Sequence, residues 1–253
     1  MKDLFNAQPL KTSCRCLPED RVFFYEECAS TNDLAKVWVS ENHTGGALFA
    51  AAAQTAGRGR MGKSFYSPPE SGVYFTLVQT FDHSQNPVGV TCAAAVIAMR
   101  AIRELCGIQC EIKWVNDLLY RGKKVCGILA ETVACGEKTA LLIGIGVNLR
   151  PAVFPPELAG IAGSLEDETT PRAALVANIA EHLFAFLQNP TSENWLEDYR
   201  RHSCVLGKRV VFWKNGAQTE AVARGIGEDG GLLVRSADGE EILRTGEITL
   251  RLT

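Results

Sequence analysis

The sequence predicts an α+β fold in which helices flank a central mixed β-sheet and a small β-barrel follows at the C-terminus. Residues 21–203 alternate apolar runs of strand length with segments of helical periodicity. From Leu206 onward, short apolar strands are separated by turns rich in Gly and Asp, a pattern typical of a small barrel. We therefore expect a main domain at 21–203 and a second domain at 204–253, preceded by an irregular segment at 1–20.

Each element of the main domain follows from a local pattern. The capping signature Ser30-x-x-Asp33 and the stripe of Leu34, Val37 and Trp38 predict the first helix. A second helix is predicted at 87–105, and strands at 21–26, 47–53, 73–80, 111–114, 117–120, 124–133 and 139–148. The tight turn Arg121-Gly-Lys123 predicts a hairpin between two of these strands.

The rest of the chain begins with a connector, residues 150–169, which is rich in Pro, Gly and acidic residues. Thr170 is predicted to cap the next helix, with Pro171 at its first position. The remaining predicted elements are a helix at 192–201 and strands at 209–213, 218–226, 232–235, 240–245 and 248–252.

The composition is that of an ordinary soluble globular protein. Of 253 residues, 46% are hydrophobic and 22% charged, and the net charge of −3 argues against general nucleic-acid binding. No window is apolar enough for a membrane span, and the first residues lack a signal-peptide core. Nine cysteines without a Cys-x-x-Cys pair and four dispersed histidines lack zinc-ligand spacing. We expect free thiols and a cytoplasmic protein.

A segment rich in glycine and arginine follows Gln54. Within it, Gly57, Gly59 and Gly62 alternate with the cations Arg58, Arg60 and Lys63. Glycine frees the backbone to approach a ligand, and guanidinium groups suit phosphate and carboxylate. We interpret the segment as a mobile loop that orders around a small anion. A flexible basic linker or an RNA contact is the alternative, although Arg/Gly segments of that kind usually repeat and this one stands alone between two strands.

Two further motifs carry polar groups beside apolar strands. Lys113-Trp-Val-Asn-Asp117 is either a simple turn with a buried Trp or part of a site. Lys124 opens an apolar strand, where a lysine can point into a cleft, whereas we expect Lys123 to be solvated. Joining a carboxylate to AMP brings two anions together, so it requires fixed cations and a closing loop. The loop and these lysines therefore point to a ligase that works through an adenylate.

Two short motifs complete the set. Ser30-Thr31-Asn32 is either a helix cap alone or a grip for a polar head group. Gly144-Ile-Gly-Val-Asn148 is a strand end that permits close backbone approach, or simply a bulge.

In this order along the chain, the five motifs resemble the biotin protein ligase family. The resemblance covers about residues 22–253 and implies a biotin/lipoate ligase-like catalytic domain followed by an SH3-like domain. It also implies that the chain forms biotinyl-5′-AMP from biotin and MgATP, then passes biotin to one lysine of a biotin carboxyl carrier domain. Only a short segment precedes the first predicted strand, so we expect no DNA-binding repressor function, and a monomer or a homodimer.

The resemblance also implies roles for single residues. Lys124 resembles the lysine that bridges biotin and the α-phosphate, Asp117 the carboxylate that helps the carrier amine lose its proton, and Arg60 the arginine that retains the adenylate. The residues expected to bind biotin are Ser30, Thr31, Asn32, Gln54, Gly57, Arg58 and Lys124. Those expected to bind ATP and the adenylate are Arg58, Gly59, Arg60, Gly62, Phe65, Lys113, Asn116 and Asn148. No side chain is assigned to the metal, which we expect to arrive as Mg²⁺ with ATP.

Three positions depart from the family pattern. Val115 replaces a usual proline, Met61 a frequent arginine, and Phe65 an aromatic residue, often Trp, that covers adenine. None of the three changes removes a catalytic group. The alternative functions are a lipoate or octanoate ligase, whose typical Arg-Arg-x-Ser-Gly-Gly-Gly run is missing from this sequence, and a non-catalytic binding module with an SH3-like tail.

Overall fold

A seven-stranded mixed sheet forms the centre of the protein. The computed structural model describes residues 5–82, 89–190, 194–214, 216–244 and 248–250. The strands are β1 (Val22–Cys28), β2 (Gly46–Gln54), β3 (Gly72–Asp82), β4 (Glu111–Lys113), β5 (Asp117–Tyr120), β6 (Lys123–Cys135) and β7 (Lys138–Asn148). Their spatial order is β1-β2-β3-β7-β6-β5-β4, and only β1 and β2 run parallel. The predicted hairpin is confirmed, since Tyr120 pairs with Lys123.

Helices cover both faces of the sheet. They are α1 (Ala7–Ser13), α2 (Thr31–Ser40), α3 (Val90–Cys106), α4 (Arg172–Gln188) and α5 (Trp195–His202). The larger core holds α1, α3, α4 and α5, while α2 packs on the opposite face, where Trp38 contacts Phe49. Because side chains alternate along a strand, Phe75 and Leu77 of β3 belong to the larger core and Val78 to the smaller one. None of the helices in the described residues is long and apolar enough to cross a bilayer.

The N-terminal segment is not irregular throughout, so that expectation was wrong for residues 7–13. They form α1, whose first turn is capped by the Asn6 side chain accepting a hydrogen bond from the Gln8 amide. Leu10 and Cys14 are buried in the larger core. A helix of seven residues with one apolar anchor leaves almost no periodic signal. Cys14 and Cys16 bring their sulfurs within 3.6 Å, and all nine thiols are free.

Two predicted helix caps are corrected by the structure. Ser30 does occupy the N-cap position of α2, but its side chain makes no capping hydrogen bond, and Asp33 pairs with Arg58 instead. At α4 the N-cap is Pro171 rather than Thr170, whose hydroxyl donates to the carbonyl of Leu105. The helix predicted to start at 87 begins at Val90, and residues 87 and 88 lie outside the described residues, as do 192 and 193.

The C-terminal part is an antiparallel sheet, compatible with an SH3-like domain. Its strands are β8 (Arg209–Lys214), β9 (Ala217–Ile226), β10 (Leu232–Ser236), β11 (Gly239–Leu243) and β12 (Ile248–Leu250), in the order β11-β10-β9-β8-β12. Within the described residues, the recorded pairings leave this sheet open rather than closed into a barrel. The indole of Trp114 donates to the Gly230 carbonyl at 2.9 Å, which ties this sheet to the main domain.

Candidate active site

A first cavity opens where the N-terminus of α2 meets the sheet. It contains about 410 Å³ of empty space, part of it open to solvent. Ser30, Thr31 and Asn32 line one side, and Gln54 at the end of β2 lines another. These three residues at the start of α2 are between 2% and 4% exposed, although they are polar. Since buried polar groups are costly unless they are bonded, their partners determine what the cavity can bind.

Glycines form the floor of this cavity and set its depth. A Cβ at Gly144 would collide with the Asn32 side-chain oxygen, and one at Gly146 would lie 2.5 Å from the ring of Phe65. Only glycine allows both side chains to approach the sheet this closely. Phe65 belongs to the loop, but its ring packs on the strands at the cavity floor.

The polar wall of the first cavity is a continuous hydrogen-bonded network. The Gln54 side-chain oxygen accepts from the Thr31 backbone amide at 2.8 Å and from its hydroxyl at 3.2 Å. The Gln54 amide nitrogen donates to Ser67 at 3.0 Å. On the other side of Thr31, the fully buried Thr76 hydroxyl lies 2.9 Å from the Thr31 hydroxyl and 2.7 Å from the Asn32 side-chain oxygen.

A carboxylate ends this network behind the cavity. Glu131 accepts from the Asn32 side-chain nitrogen at 2.9 Å and from the Lys36 ammonium at 2.7 Å. Burial alone would raise the pKa of Glu131, but the bonds from Lys36 and Asn32 outweigh it and hold that pKa below its ordinary value. Glu131 is therefore ionised at neutral pH.

The Gly/Arg loop folds back on itself as a short hairpin. Backbone bonds join Phe65 to Gly57 at 2.8 Å and Gly59 to Lys63 at 2.7 Å, and Met61 takes a left-handed turn conformation with φ 54°. Arg58 bonds Asp33 of α2 at 2.9 Å, and Arg60 donates to the Asn116 side-chain oxygen at 3.3 Å. The loop is thus fastened to the body of the protein at two points.

A second cavity adjoins the first and is strongly cationic. It contains about 1590 Å³ of empty space, part of it open to solvent. Within the described part of the chain, its charged lining residues are four cations and a single carboxylate: Arg60, Lys63, Lys113, Lys124 and Asp117. Phe154 and Leu158 of the connector and Ile248 of the C-terminal sheet complete the wall. Such a site suits a polyanion with an apolar portion.

The two cavities share a wall. Gly59, Phe65, Asn116 and Lys124 line both. The Lys124 ammonium lies 2.6 Å from a carboxylate oxygen of Asp117 and 5.8 Å from the centre of the Phe65 ring. Asn116 is fixed by donating to the Ile128 carbonyl at 2.8 Å. A ligand in each cavity would therefore meet at Lys124.

Most of the site residues predicted from sequence converge on these cavities. Gly57 and Gly62 line neither one, since Gly57 packs against the Phe65 carbonyl and Gly62 sits in the hairpin turn at φ 75°. Asn148 lines the second cavity, but its amide nitrogen is held by the Gly163 carbonyl at 2.9 Å. Phe65 lines both cavities, and its expected contact with adenine stays a prediction.

Sequence reasoning missed the residues that support the first cavity from behind. Ser67, Thr76 and Glu131 lie outside the five motifs. Each is a single polar residue in a segment that is otherwise apolar or solvent-facing, so its local sequence does not indicate a site. A hydroxyl inside the apolar run of β3 was the one available signal, because a buried polar group needs a partner.

Comparison with known proteins identifies the relatives of this chain. Residues 25–148 match the model of the biotin/lipoate A/B protein ligase family, and residues 205–251 match that of the biotin protein ligase C-terminal domain. The bifunctional ligase/repressor BirA of Bacillus subtilis is 33% identical over 250 residues, an alignment that spans 90% of this chain and 74% of the relative. The chain belongs to the biotin protein ligase family. The biotin–[acetyl-CoA-carboxylase] ligase of Paracoccus denitrificans is 29% identical, over 81% of this chain and 90% of its own.

Solved structures of biotin protein ligases share the fold. The enzyme from Aquifex aeolicus in complex with biotin and ATP superimposes with a TM-score of 0.76 at 25% identity, over 92% of this chain and 99% of the other. The enzyme from Leishmania major in complex with biotinyl-5-AMP gives 0.60 at 27% identity, over 89% and 99%. The family resemblance and the fold class inferred from the sequence motifs are both confirmed.

Proposed function

We propose that this chain activates biotin with ATP to form biotinyl-5′-AMP and then transfers the biotinyl group to a lysine of a biotin carboxyl carrier domain. The observation that carries the proposal is the shared wall of the two cavities. The first offers neutral hydrogen-bonding groups around a small compact ligand, the second offers cations for a polyphosphate, and Lys124 stands between them.

In the first half-reaction, a carboxylate oxygen of biotin attacks the α-phosphorus of ATP and pyrophosphate leaves. Both reactants are anions, so their approach is disfavoured unless fixed positive charge lies between them. Lys124 sits at the junction and neutralises the charge that accumulates on the phosphorus. Arg60 and Lys113 line the side where the phosphates lie. Mg²⁺ enters as part of the MgATP substrate.

In the second half-reaction, the lysine amine of the carrier attacks the carbonyl carbon of the mixed anhydride and AMP leaves. A lysine amine with a pKa of about 10.4 is mostly protonated at neutral pH and needs an acceptor for its proton. Among the described residues that line the second cavity, Asp117 is the one carboxylate, and it accepts that proton. Until the carrier arrives, the loop at 57–65 keeps water from the anhydride.

Biotin-dependent exchange of pyrophosphate into ATP tests the first half-reaction directly. Purified protein is incubated with MgATP, labelled pyrophosphate and either biotin or lipoate. We expect exchange with biotin only. Exchange only with lipoate would move the chain to the lipoate ligase side of its superfamily, and no exchange from folded protein would favour a non-catalytic binding module.

Transfer is tested by following biotin onto a purified carrier domain. We expect one lysine of the carrier to be labelled in the presence of biotin and MgATP. A carrier variant with that lysine replaced by arginine is the control, because it keeps the charge but lacks the nucleophile.

A further inference from the structure

We propose that a hydrogen-bond relay behind the first cavity fixes the Thr31 hydroxyl as an acceptor for an N–H group of the ligand, with Ser67 and Thr76 as positioning residues. The relay has one arm through Ser67 and Gln54 and a second arm through Thr76, Asn32 and Glu131. The inference rests on the proposed function, since biotin is the ligand whose recognition it explains.

The first arm begins at a group that can only accept. The carbonyl oxygen of Phe65 receives the Ser67 hydroxyl hydrogen at 3.0 Å. Because that hydrogen is used, the Ser67 oxygen faces Gln54 as an acceptor, and the Gln54 amide nitrogen donates to it at 3.0 Å. Ser67 is 3% exposed, so water does not compete for this bond.

The orientation of the Gln54 amide follows from chemistry as well as from geometry. Its oxygen lies 2.8 Å from the backbone nitrogen of Thr31, which can only donate. The flipped amide would set two donors against each other at Thr31 and two acceptors against each other at Ser67. The same oxygen accepts the Thr31 hydroxyl hydrogen at 3.2 Å. Thr31 therefore turns lone pairs, and no hydrogen, toward the cavity that it lines.

The second arm also begins at a group that can only accept. The ionised carboxylate of Glu131 takes a hydrogen from the Asn32 side-chain nitrogen, so the Asn32 oxygen points toward Thr76. The Thr76 hydroxyl has one hydrogen to place, on Asn32 at 2.7 Å or on Thr31 at 2.9 Å. Either placement leaves the Thr31 oxygen an acceptor. The relay thus ends at the Phe65 carbonyl and at the Glu131 carboxylate, both of which can only accept hydrogen bonds. These two ends fix the direction of the hydrogen bonds between them.

This polarity selects for the chemistry of a cyclic urea. The fused ring of biotin carries two N–H donors, and an acceptor at Thr31 matches either of them. A dithiolane ring, or a ring with oxygen in place of N–H, offers no donor there and leaves the lone pair that Thr31 turns toward the cavity without a partner. Sites built to bond a polar ligand group reject analogues that lack it far more strongly than apolar pockets reject analogues of different size.

The test measures discrimination rather than affinity alone. Isothermal titration calorimetry gives dissociation constants of the full chain for biotin and for its two cyclic carbamate analogues, in which one ring N–H or the other is replaced by oxygen. We expect at least one carbamate to bind wild type about 10-fold or more weakly than biotin, from the cost of an unmade buried hydrogen bond. Ser67→Ala removes one of the hydrogen bonds that orient the Gln54 amide, and we expect that ratio to fall by several-fold.

Matched variants distinguish a change in the hydrogen-bond direction of the relay from a general effect on folding. Ser71→Ala removes another buried hydroxyl, which bonds the Pro68 carbonyl outside the relay, and should keep the wild-type ratio. Thr76→Val should lower the ratio of the carbamate and biotin dissociation constants, and Thr76→Ser should restore it. This pair of variants tests the relay even if Ser67→Ala fails to fold. Folded Ser67→Ala and Thr76→Val proteins that retain the wild-type ratio would overturn the relay. Wild-type protein that binds no biotin would instead overturn the proposed function.

Discussion

The two cavities differ in how the protein builds them. The first includes side chains at the ends of a helix and strands, and its buried members Thr31 and Asn32 are hydrogen-bonded to neighbouring side chains. The second is made largely of loop and connector residues and is lined by cations that reach toward solvent. Hydrogen bonds with fixed directions select one ligand shape and polarity, whereas cations hold a flexible polyanion with little regard to direction.

The difference between the two cavities indicates which part of the site selects the ligand and which part promotes the reaction. In the function that we propose, the first cavity identifies the acid to be activated and the cationic second cavity lowers the barrier to its activation. Only the shared wall belongs to both tasks. Substitutions in the wall should therefore affect both half-sites, and substitutions confined to one cavity should affect one step.

The largest effect is expected from Lys124→Ala, because Lys124 lines both cavities. Loss of a fixed charge at the reacting phosphorus should reduce biotin-dependent pyrophosphate exchange by about 10³-fold. Lys123→Ala is the matched control, since the neighbouring lysine is exposed, lines neither cavity among the described residues, and donates to the Ala159 carbonyl. Near-normal adenylate synthesis by Lys124→Ala would remove Lys124 from the chemistry.

A smaller and more selective effect is expected from Asp117→Asn, which alters the second cavity. Transfer to the carrier should slow by about 10²-fold, from loss of a proton acceptor. Adenylation should slow less, although Lys124 loses its partner at 2.6 Å. Single-turnover measurements separate the two steps, with Glu111→Gln on β4 as an exposed carboxylate control. Equal slowing of both steps would mean that Asp117 serves only to hold Lys124.

The sequence predicted the sheet better than it predicted the first cavity. Long apolar runs placed β2, β3 and β7 within two residues of their observed ends, because buried central strands need continuous apolar sequence. The motifs also identified Lys124, Arg60 and Gln54, which lie in or beside short distinctive segments. Adenylate roles for these residues stay predictions.

What the sequence could not show depends on strand register. Thr76 supports the first cavity because it pairs with Gly144 across β3 and β7, which places it beneath Asn32. Glu131 reaches the same network from β6, about a hundred residues from Asn32. A one-residue shift in either strand would turn these side chains to the other face, and no local pattern records which residues become neighbours.

A moderate effect is expected from Arg60→Ala, which removes one of the two fastenings of the loop. Losing the charge-assisted bond to Asn116 should increase release of biotinyl-AMP by about 10-fold. Released adenylate labels lysines of an added bystander protein, which mass spectrometry detects. Met61→Ala, an exposed change in the same loop, should leave labelling confined to the carrier. Confinement in both variants would show that Arg60 does not retain the adenylate.

The smallest effect is expected at the connector that walls the second cavity. Asp167 accepts bonds from the Thr169 amide and hydroxyl and from the Thr170 amide, at 2.7, 2.8 and 3.1 Å. Burial would raise the pKa of Asp167, but hydrogen bonding by Thr170 and Thr169 outweighs it and holds that pKa well below the ordinary value. A lowered folded-state pKa stabilises the fold above the unfolded pKa of about 3.9, and this stability is lost as pH falls further.

Asp167→Asn should therefore lower the free energy of unfolding by about 1.5 kcal/mol at pH 7, and the gap from wild type should narrow as pH approaches 3. Urea unfolding at several pH values measures this gap, with Asp238→Asn at an exposed turn as the control for loss of one charge. Because Asp167 supports the connector and touches neither cavity, biotin affinity should stay at the wild-type value while ATP affinity weakens by a few-fold. A gap that does not change with pH would mean that the ionised carboxylate is not what holds the connector.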